Sequence, residues 1–223
     1  DSHLMLKQVQ WFNELGGAKE HNAIIAFDYS TRVVDANMIE EAARQAFKSV
    51  GRFNYPNPKN SHVTIASKHA FCHIANFMEN QVQTPWIWWE ADMTALKSGF
   101  MNTIQQAYQK AAKLFFGPIV PNMGHMNGTA VYPSNTYSLC PSLRVSNSDA
   151  FDTGMRNEMG RNMADASSLI YHVWCVNAGR LMPHGDGSVP AHITKQMLAQ
   201  VPSTAVAFHR CKDDSIIKLL RSK

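Results

Sequence analysis

The segment Pro85-Trp86-Ile87-Trp88-Trp89-Glu90-Ala91-Asp92 sets two carboxylates one residue apart at the end of an apolar run. Four large apolar residues in succession suit a short strand covered on both faces. Side chains alternate along an extended chain, so Glu90 and Asp92 point to the same side. Two acids at the carboxyl edge of a sheet suit a hard divalent cation, which in turn can hold a diphosphate. The plainer alternative is a polar strand end entering a helix, whose first turn also favours acids.

Such a pair needs elements that hold it in place, and the chain supplies them by alternation. The spacing predicts a helix over 4–15 that stops at Gly16-Gly17, burying Met5, Val9 and Phe12. A short apolar strand over 23–27 ends at Asp28. A helix is predicted over 38–50, with Ile39, Ala43, Ala46, Phe47 and Val50 on one face. A Pro/Asn-rich loop follows at 54–61, and Ala70, Ile74, Phe77 and Met78 mark another helix. Beyond Asp92 the helical positions are Phe100, Ile104, Ala107, Tyr108, Ala111 and Phe115, ended by Gly117 and Pro118. A loop over 121–128 precedes the apolar piece Ala130-Val131-Tyr132-Pro133. Residues 134–149 read as polar and irregular, 169–176 as helix or strand, and 216–220 as a small amphipathic helix. With no repeat or linker, this order predicts one domain, 1–223, of the α/β class, with a mostly parallel central sheet and flanking helices.

Composition narrows the partners little. The chain has 223 residues, 45% of them apolar, and 21 Lys and Arg against 17 Asp and Glu, a net charge of +4. A mildly basic balance permits an anionic partner without specifying one. The most basic piece is the tail, with Lys212, Lys218, Arg221 and Lys223. No apolar run approaches the roughly 20 residues of a membrane helix. Nothing at the start reads as a signal peptide, and Cys72, Cys140, Cys175 and Cys211 are far apart. The expectation is a cytoplasmic protein with reduced thiols, in the host cytoplasm if the chain is viral.

Three segments in order resemble a nucleotide-sugar-dependent glycosyltransferase of the GT-A fold. Trp86-Ile87-Trp88-Trp89-Glu90-Ala91-Asp92 resembles the strand and acidic DxD motif. Gly124-His125-Met126-Asn127-Gly128-Thr129-Ala130-Val131-Tyr132-Pro133 resembles the segment whose Asn-Gly turn faces the donor sugar. Phe208-His209-Arg210-Cys211-Lys212-Asp213-Asp214-Ser215 resembles a C-terminal loop that closes on metal and diphosphate. The first acid is Glu90 rather than Asp, so Asp92 carries most of the match. The family also normally opens on a strand whose loop helps hold the base. Here a helix comes first, so part of the base site is expected before Asp1 or built differently.

The resemblance implies roles residue by residue. Asp92 would ligate a Mn²⁺ or Mg²⁺ ion, with Glu90 acting through water or on the ribose. His209 would add a nitrogen ligand, which tilts the choice toward Mn²⁺. Asn127 and Gly128 would face the donor, a UDP-sugar; Lys212 would sit against a phosphate, and Ser215 would donate a hydrogen bond to it. For an inverting reaction the acceptor-side base would be Asp152 or, second, Asp149. Each residue also has a plain structural reading. His209 can cap a strand, Lys212 can be solvated, Asn127-Gly128 can be a hairpin turn, either aspartate can be a helix N-cap, and the tryptophans can be core.

The acceptor is the least determined partner. Transferases of this kind in phages glycosylate hydroxymethylated pyrimidines, so DNA is one expectation, beside glycans, lipid-linked glycans and proteins. Two other classes stay open. One is a phosphoesterase using Glu90, Asp92, His184 and His209; the other is a non-catalytic nucleotide- or nucleic-acid-binding module.

Overall fold

A computed structural model describes residues 2–56, 63–121, 123–145, 150–183, 185 and 187–222. The chain runs α1 (Ser2–Glu14), β1 (Ala18–Asp28), α2 (Val33–Ala46), β2 (Phe47–Tyr55) and α3 (Val63–Phe77). It continues with β3 (Trp86–Ile87), β4 (Met93–Ala95), α4 (Phe100–Ala111), β5 (Phe115–Gly117) and β6 (Val131–Tyr132). Next come the short α5 (Thr136–Leu139), α6 (Phe151–Gly154), α7 (Arg156–Met159) and β7 (Met163–Asp165). The chain ends with β8 (Ile170–His172), β9 (Cys175–Asn177), β10 (Arg180–Met182), α8 (Lys195–Leu198), β11 (Ala207–His209) and α9 (Ser215–Arg221). No helix among the described residues is long and apolar enough to cross a membrane.

Helices and strands are mixed as expected, but among the described residues the strands form four small sheets rather than one mostly parallel sheet. β1 and β2 pair in parallel, joined by α2. β4, β11 and β8 form a second sheet, with β11 antiparallel to β4 and parallel to β8. The order β3-β6-β5-β7 makes the third, in which only β5 and β7 run parallel. β9 and β10 form an antiparallel pair. Alternating helix and strand patterns do not determine which strands pair, and strands of two or three residues cannot carry a continuous ladder.

Several boundaries differ from the sequence expectation, beginning with β1, which starts at Ala18 rather than at 23. The second helix starts five residues early and stops at Ala46, and Phe47 to Val50 belong to β2. Phe47 pairs beside Ala18 and Val50 beside Ala23, so pairing with β1 claims residues whose spacing also fits a helix face. The turn at 16–17 fits this junction. Gly17 has φ +75°, and a Cβ there would stand 2.6 Å from the Ala46 carbonyl oxygen. The fourth helix ends at Ala112 (φ +49°), before Phe115. Phe115 and Phe116 then turn to different cores, as consecutive residues of a strand must. Of the stretch 134–149, the described residues 134–145 are more ordered than expected, with α5 and a 3₁₀ turn at Pro141–Arg144. The ambiguous stretch 169–176 resolves into β8 and the start of β9.

The fold places the acidic segment between two hydrophobic clusters. One gathers Phe12, Met93, Phe100, Phe116 and Ile170; the other gathers Phe71, Trp86, Phe115, Tyr132 and Phe151. Trp86 and Trp88 pack into the second cluster, and Ile87 and Trp89 against the first. The segment is thus covered on both faces with a period of two, as expected, although ladder pairing is confined to Trp86–Ile87. All three tryptophans serve the core. Their rigid packing carries Glu90 and Asp92 to the seam between the clusters.

Candidate metal centre

Glu90 and Asp92 follow β3, and His209 ends β11, so residues far apart in sequence must be brought together. Two backbone bonds do this: the Arg210 and Cys211 amides both donate to the Asp92 carbonyl, at 3.1 and 3.2 Å. His209 lies beside Met93 in the β11–β4 ladder. Its Nε2 then stands 3.3 Å from Glu90 Oε2 and 3.3 Å from Asp92 Oδ1. One ligand atom from each of the three lies within 4.8 Å of the others, the single such group of three among the described residues. Neighbouring donors of an octahedral shell about 2.1 Å from an ion are about 3 Å apart, so this set fits a divalent cation. Two carboxylates and an imidazole suit Mn²⁺ better than an all-oxygen cage would.

Burial makes the set electrostatically demanding. Asp92 and His209 are only 5% and 3% exposed, and Glu90 is half-buried. Burial would raise the Asp92 pKa, but His209 and Lys212 outweigh it and hold the carboxyl far below its usual range. Burial likewise works against a charged His209, but Asp92 and Glu90 overcome it and raise its pKa to about 9. The two shifts describe one interaction seen from both partners. Without a metal, a proton on Nε2 supplies the positive charge that the two carboxylates require. Lys212 donates to the other oxygen of Asp92.

The surrounding residues orient the three donors. Trp88 Nε1 donates to Glu90 Oε1 at 3.2 Å. His209 Nδ1 is 3.1 Å from His172 Nδ1. Burial first, then the charges of His209 and Arg210, push the His172 pKa well below its ordinary value, so His172 is neutral and accepts from His209 Nδ1–H. That leaves His209 Nε2 directed at the carboxylates, the usual arrangement of a metal-binding histidine with an oriented second nitrogen. Thr129 Oγ1 is 3.5 Å from the same Nε2. Arg210 has φ +87°, a conformation unfavourable for a side-chain-bearing residue, and its guanidinium packs 4.6 Å from the half-exposed Trp174 ring.

The middle segment meets the same place. Asn127 Nδ2 lies 3.5 Å from His172 Nε2, and Asn127 Oδ1 accepts from the Thr129 amide at 3.2 Å. Gly128 is held as Tyr132 donates its hydroxyl to the Gly128 carbonyl at 2.6 Å. A Cβ on Gly128 would come within 2.6 Å of Phe151 Cζ and 3.3 Å of Glu90 Oε1. Close approach, rather than a left-handed turn, is what demands glycine there. Asp152, beside Phe151, is half-buried, and its Oδ1 accepts from the Thr153 amide at 2.9 Å. Burial raises its pKa and nearby Glu90 adds to the rise; the charge on His125 and the backbone donors work the other way.

Some expected residues stand elsewhere. Ser215 is buried at the start of α9, where its hydroxyl accepts from the Ile193 amide at 2.8 Å and lies 3.4 Å from Cys211 Sγ. It ties two loops together. Asp149 and His184 lie outside the described residues. The basic tail offers little free charge: Lys212 pairs with Asp92, Lys218 with Asp214 at 2.8 Å, and Arg221 with Glu14, while Lys223 lies outside the described residues. His172 and Thr129 escaped the sequence reading. A histidine inside the apolar run 169–176 was the one available signal. A surface groove lined by Leu6, Val33, Val34 and Met38 of α1 and α2 shares no residue with this centre. No family model matches the sequence, and no match is found among curated proteins.

Proposed function

We propose that the protein is a metal-dependent glycosyltransferase of the GT-A kind, moving a sugar from a nucleoside-diphosphate sugar, a UDP-sugar, to a hydroxyl acceptor. One observation carries this reading: three segments separated by tens of residues converge on Glu90, Asp92 and His209 with a lysine alongside. Asp92, His209 and Glu90 would hold Mn²⁺ or Mg²⁺. The ion would neutralise charge that grows on the departing diphosphate. Lys212, half-exposed, is placed to exchange its contact with Asp92 for a phosphate oxygen. Gly128, close to Glu90, and Asn127 before it would form the wall against which the donor sugar rests. Asp152, next in sequence to the Phe151 that packs against Gly128, would take the acceptor's proton in an inverting transfer. The acceptor we favour is a hydroxymethylpyrimidine of DNA. Since Lys212, Lys218 and Arg221 of the tail are paired internally, its recognition would rest on the site itself.

The test is calorimetry of UDP with and without Mn²⁺, followed by mass spectrometry of duplex DNA containing 5-hydroxymethylcytosine or 5-hydroxymethyluracil after incubation with UDP-sugars. Metal-dependent UDP binding and a hexose or pentose mass gain are the expected results. Equal UDP affinity in excess chelator would refute the metal role. Transfer to a glycan or protein instead would change the acceptor alone.

A further inference from the structure

β8 and β11 run in parallel, with His172 beside His209 in the ladder, so the chain leaves both strands at one edge. β4 is antiparallel to β11 and starts at Met93, opposite His209, which brings Asp92 to the same edge. The edge where parallel strands end is where open α/β sheets receive ligands. The metal centre occupies it. So do two residues that the transfer chemistry leaves unused, Trp174 and Arg210.

Trp174 is 45% exposed, the most exposed of the five tryptophans. Its backbone is nonetheless braced. The Val173 amide donates to the His209 carbonyl at 3.3 Å, the Trp174 amide donates to the Met182 carbonyl at 2.8 Å, and the Val173 side chain is fully buried. Tryptophan is highly buried on average, so an open indole on a fixed backbone beside a charged centre is informative. Arg210 sets its guanidinium carbon 4.6 Å from the centre of that ring. The Arg210 amide at the same time holds the Asp92 carbonyl at 3.1 Å, and its φ of +87° is a costly conformation of the kind that gathers at functional sites. Arg210 Nε is buried without a hydrogen-bond partner. From Trp174 the rings of His172 and His209 follow as neighbours, with 6.4 and then 4.9 Å between centroids. The indole therefore stands about two ring widths from the cation ligand, a span that a ribose and its first phosphate can cover.

We infer that Trp174, with Arg210 on its ring, is the platform on which the base of the donor nucleotide stacks. The inference rests on the reading of the centre as a UDP-sugar site and assigns the base-binding part of that site. Every base has a flat π-face, and stacking on an aromatic side chain asks for little else. Arg210 holds the indole through a cation–π contact and brings a positive charge toward an anionic ligand. Its backbone bond to Asp92 couples the platform rigidly to the metal-binding residues, so that base and diphosphate are held in one fixed spacing.

Calorimetry with UDP and with inorganic pyrophosphate, each in Mn²⁺, decides it, because pyrophosphate carries the phosphates without the base. Trp174→Leu keeps apolar bulk and removes the π-face. It should weaken UDP binding on the order of tenfold to a hundredfold and leave pyrophosphate binding unchanged, while Trp174→Phe should largely keep both. In the native protein UDP should quench tryptophan emission and pyrophosphate should not, and in Trp174→Phe that quench should vanish; this comparison stands even if Trp174→Leu fails to fold. Native UDP affinity in Trp174→Leu overturns the platform, and so does an equal loss for UDP and pyrophosphate, which would place the effect at the metal centre. Intact UDP binding in Trp174→Leu together with weakened binding of an oligonucleotide containing 5-hydroxymethylcytosine would assign the stack to the acceptor and overturn the inference as stated. Wild-type protein that binds pyrophosphate with Mn²⁺ and UDP no tighter overturns the platform and leaves the metal centre standing. UDP binding that needs Trp174 but not Mn²⁺ refutes the metal-dependent transfer and leaves the platform standing.

Discussion

Asp92→Asn separates the electrostatics of the centre from its packing, because the amide keeps the shape and removes the charge. In the metal-free protein His209 holds its proton up to about 9, against 6.5 for a free imidazole. A raised folded-state pKa contributes stability that is complete below pH 6.5 and disappears as pH rises through 9. The difference corresponds to roughly 3 kcal/mol at 1.36 kcal/mol per pKa unit. Asp92 and Glu90 stand at equal distance from Nε2, 3.3 Å each, so about half of this is assigned to Asp92. Asp92→Asn should then cost about 1–2 kcal/mol at pH 6, or roughly 2–8 °C in melting temperature for a chain of this length. At pH 9.5 the gap should narrow to the part owed to Lys212, since neutral His209 no longer needs the carboxylate. Thermal melts in chelator at the two pH values provide the assay. An equal loss at both would show that the side chain acts through packing and would refute the electrostatic account. With metal present, the same variant should lose about 10²–10³ in transfer rate, the typical loss for one oriented electrostatic partner.

Mn²⁺ binding should release close to one proton at pH 7.5, because the ion displaces the hydrogen on His209 Nε2; calorimetry in buffers of different ionisation enthalpy measures it, and no release would contradict the ligand assignment. Gly128→Ala should destabilise by about 1–3 kcal/mol and weaken Mn²⁺ binding, since Phe151 is stacked on Phe71 at 4.0 Å and cannot retreat from the new methyl; unchanged urea unfolding would contradict the crowding. Lys212→Ala should leave Mn²⁺ affinity nearly unchanged and weaken Mn²⁺-dependent UDP binding about tenfold, the effect of ~1.4 kcal/mol; equal UDP affinity would remove Lys212 from the phosphate site.

The sequence by itself determined what local physics controls. The helix over 4–15 and its Gly-Gly stop were legible because amphipathic spacing and left-handed glycines are local signals, and α1 and Gly17 lie where they predict. The two-sided burial of 86–89 was legible because alternation follows from an extended backbone. Pairing was not legible. Phe47 and Val50 fit a helix face and a strand equally well, and only the β1 backbone beside them chose the strand. The same holds for the expected parallel sheet, since short strands pair with whichever neighbours the cores bring near. At the site, residue types announced Glu90 and Asp92, while their convergence with His209, expected only by resemblance, depends on the Arg210 and Cys211 amides meeting the Asp92 carbonyl. His172 as the orienting partner, Ser215 as a tie to Ile193, and the internal pairing of the tail cations are contacts between distant segments. Long-range contacts are set by how whole elements pack. A side chain's identity states which bonds it can make, and the tertiary fold alone decides which partner arrives.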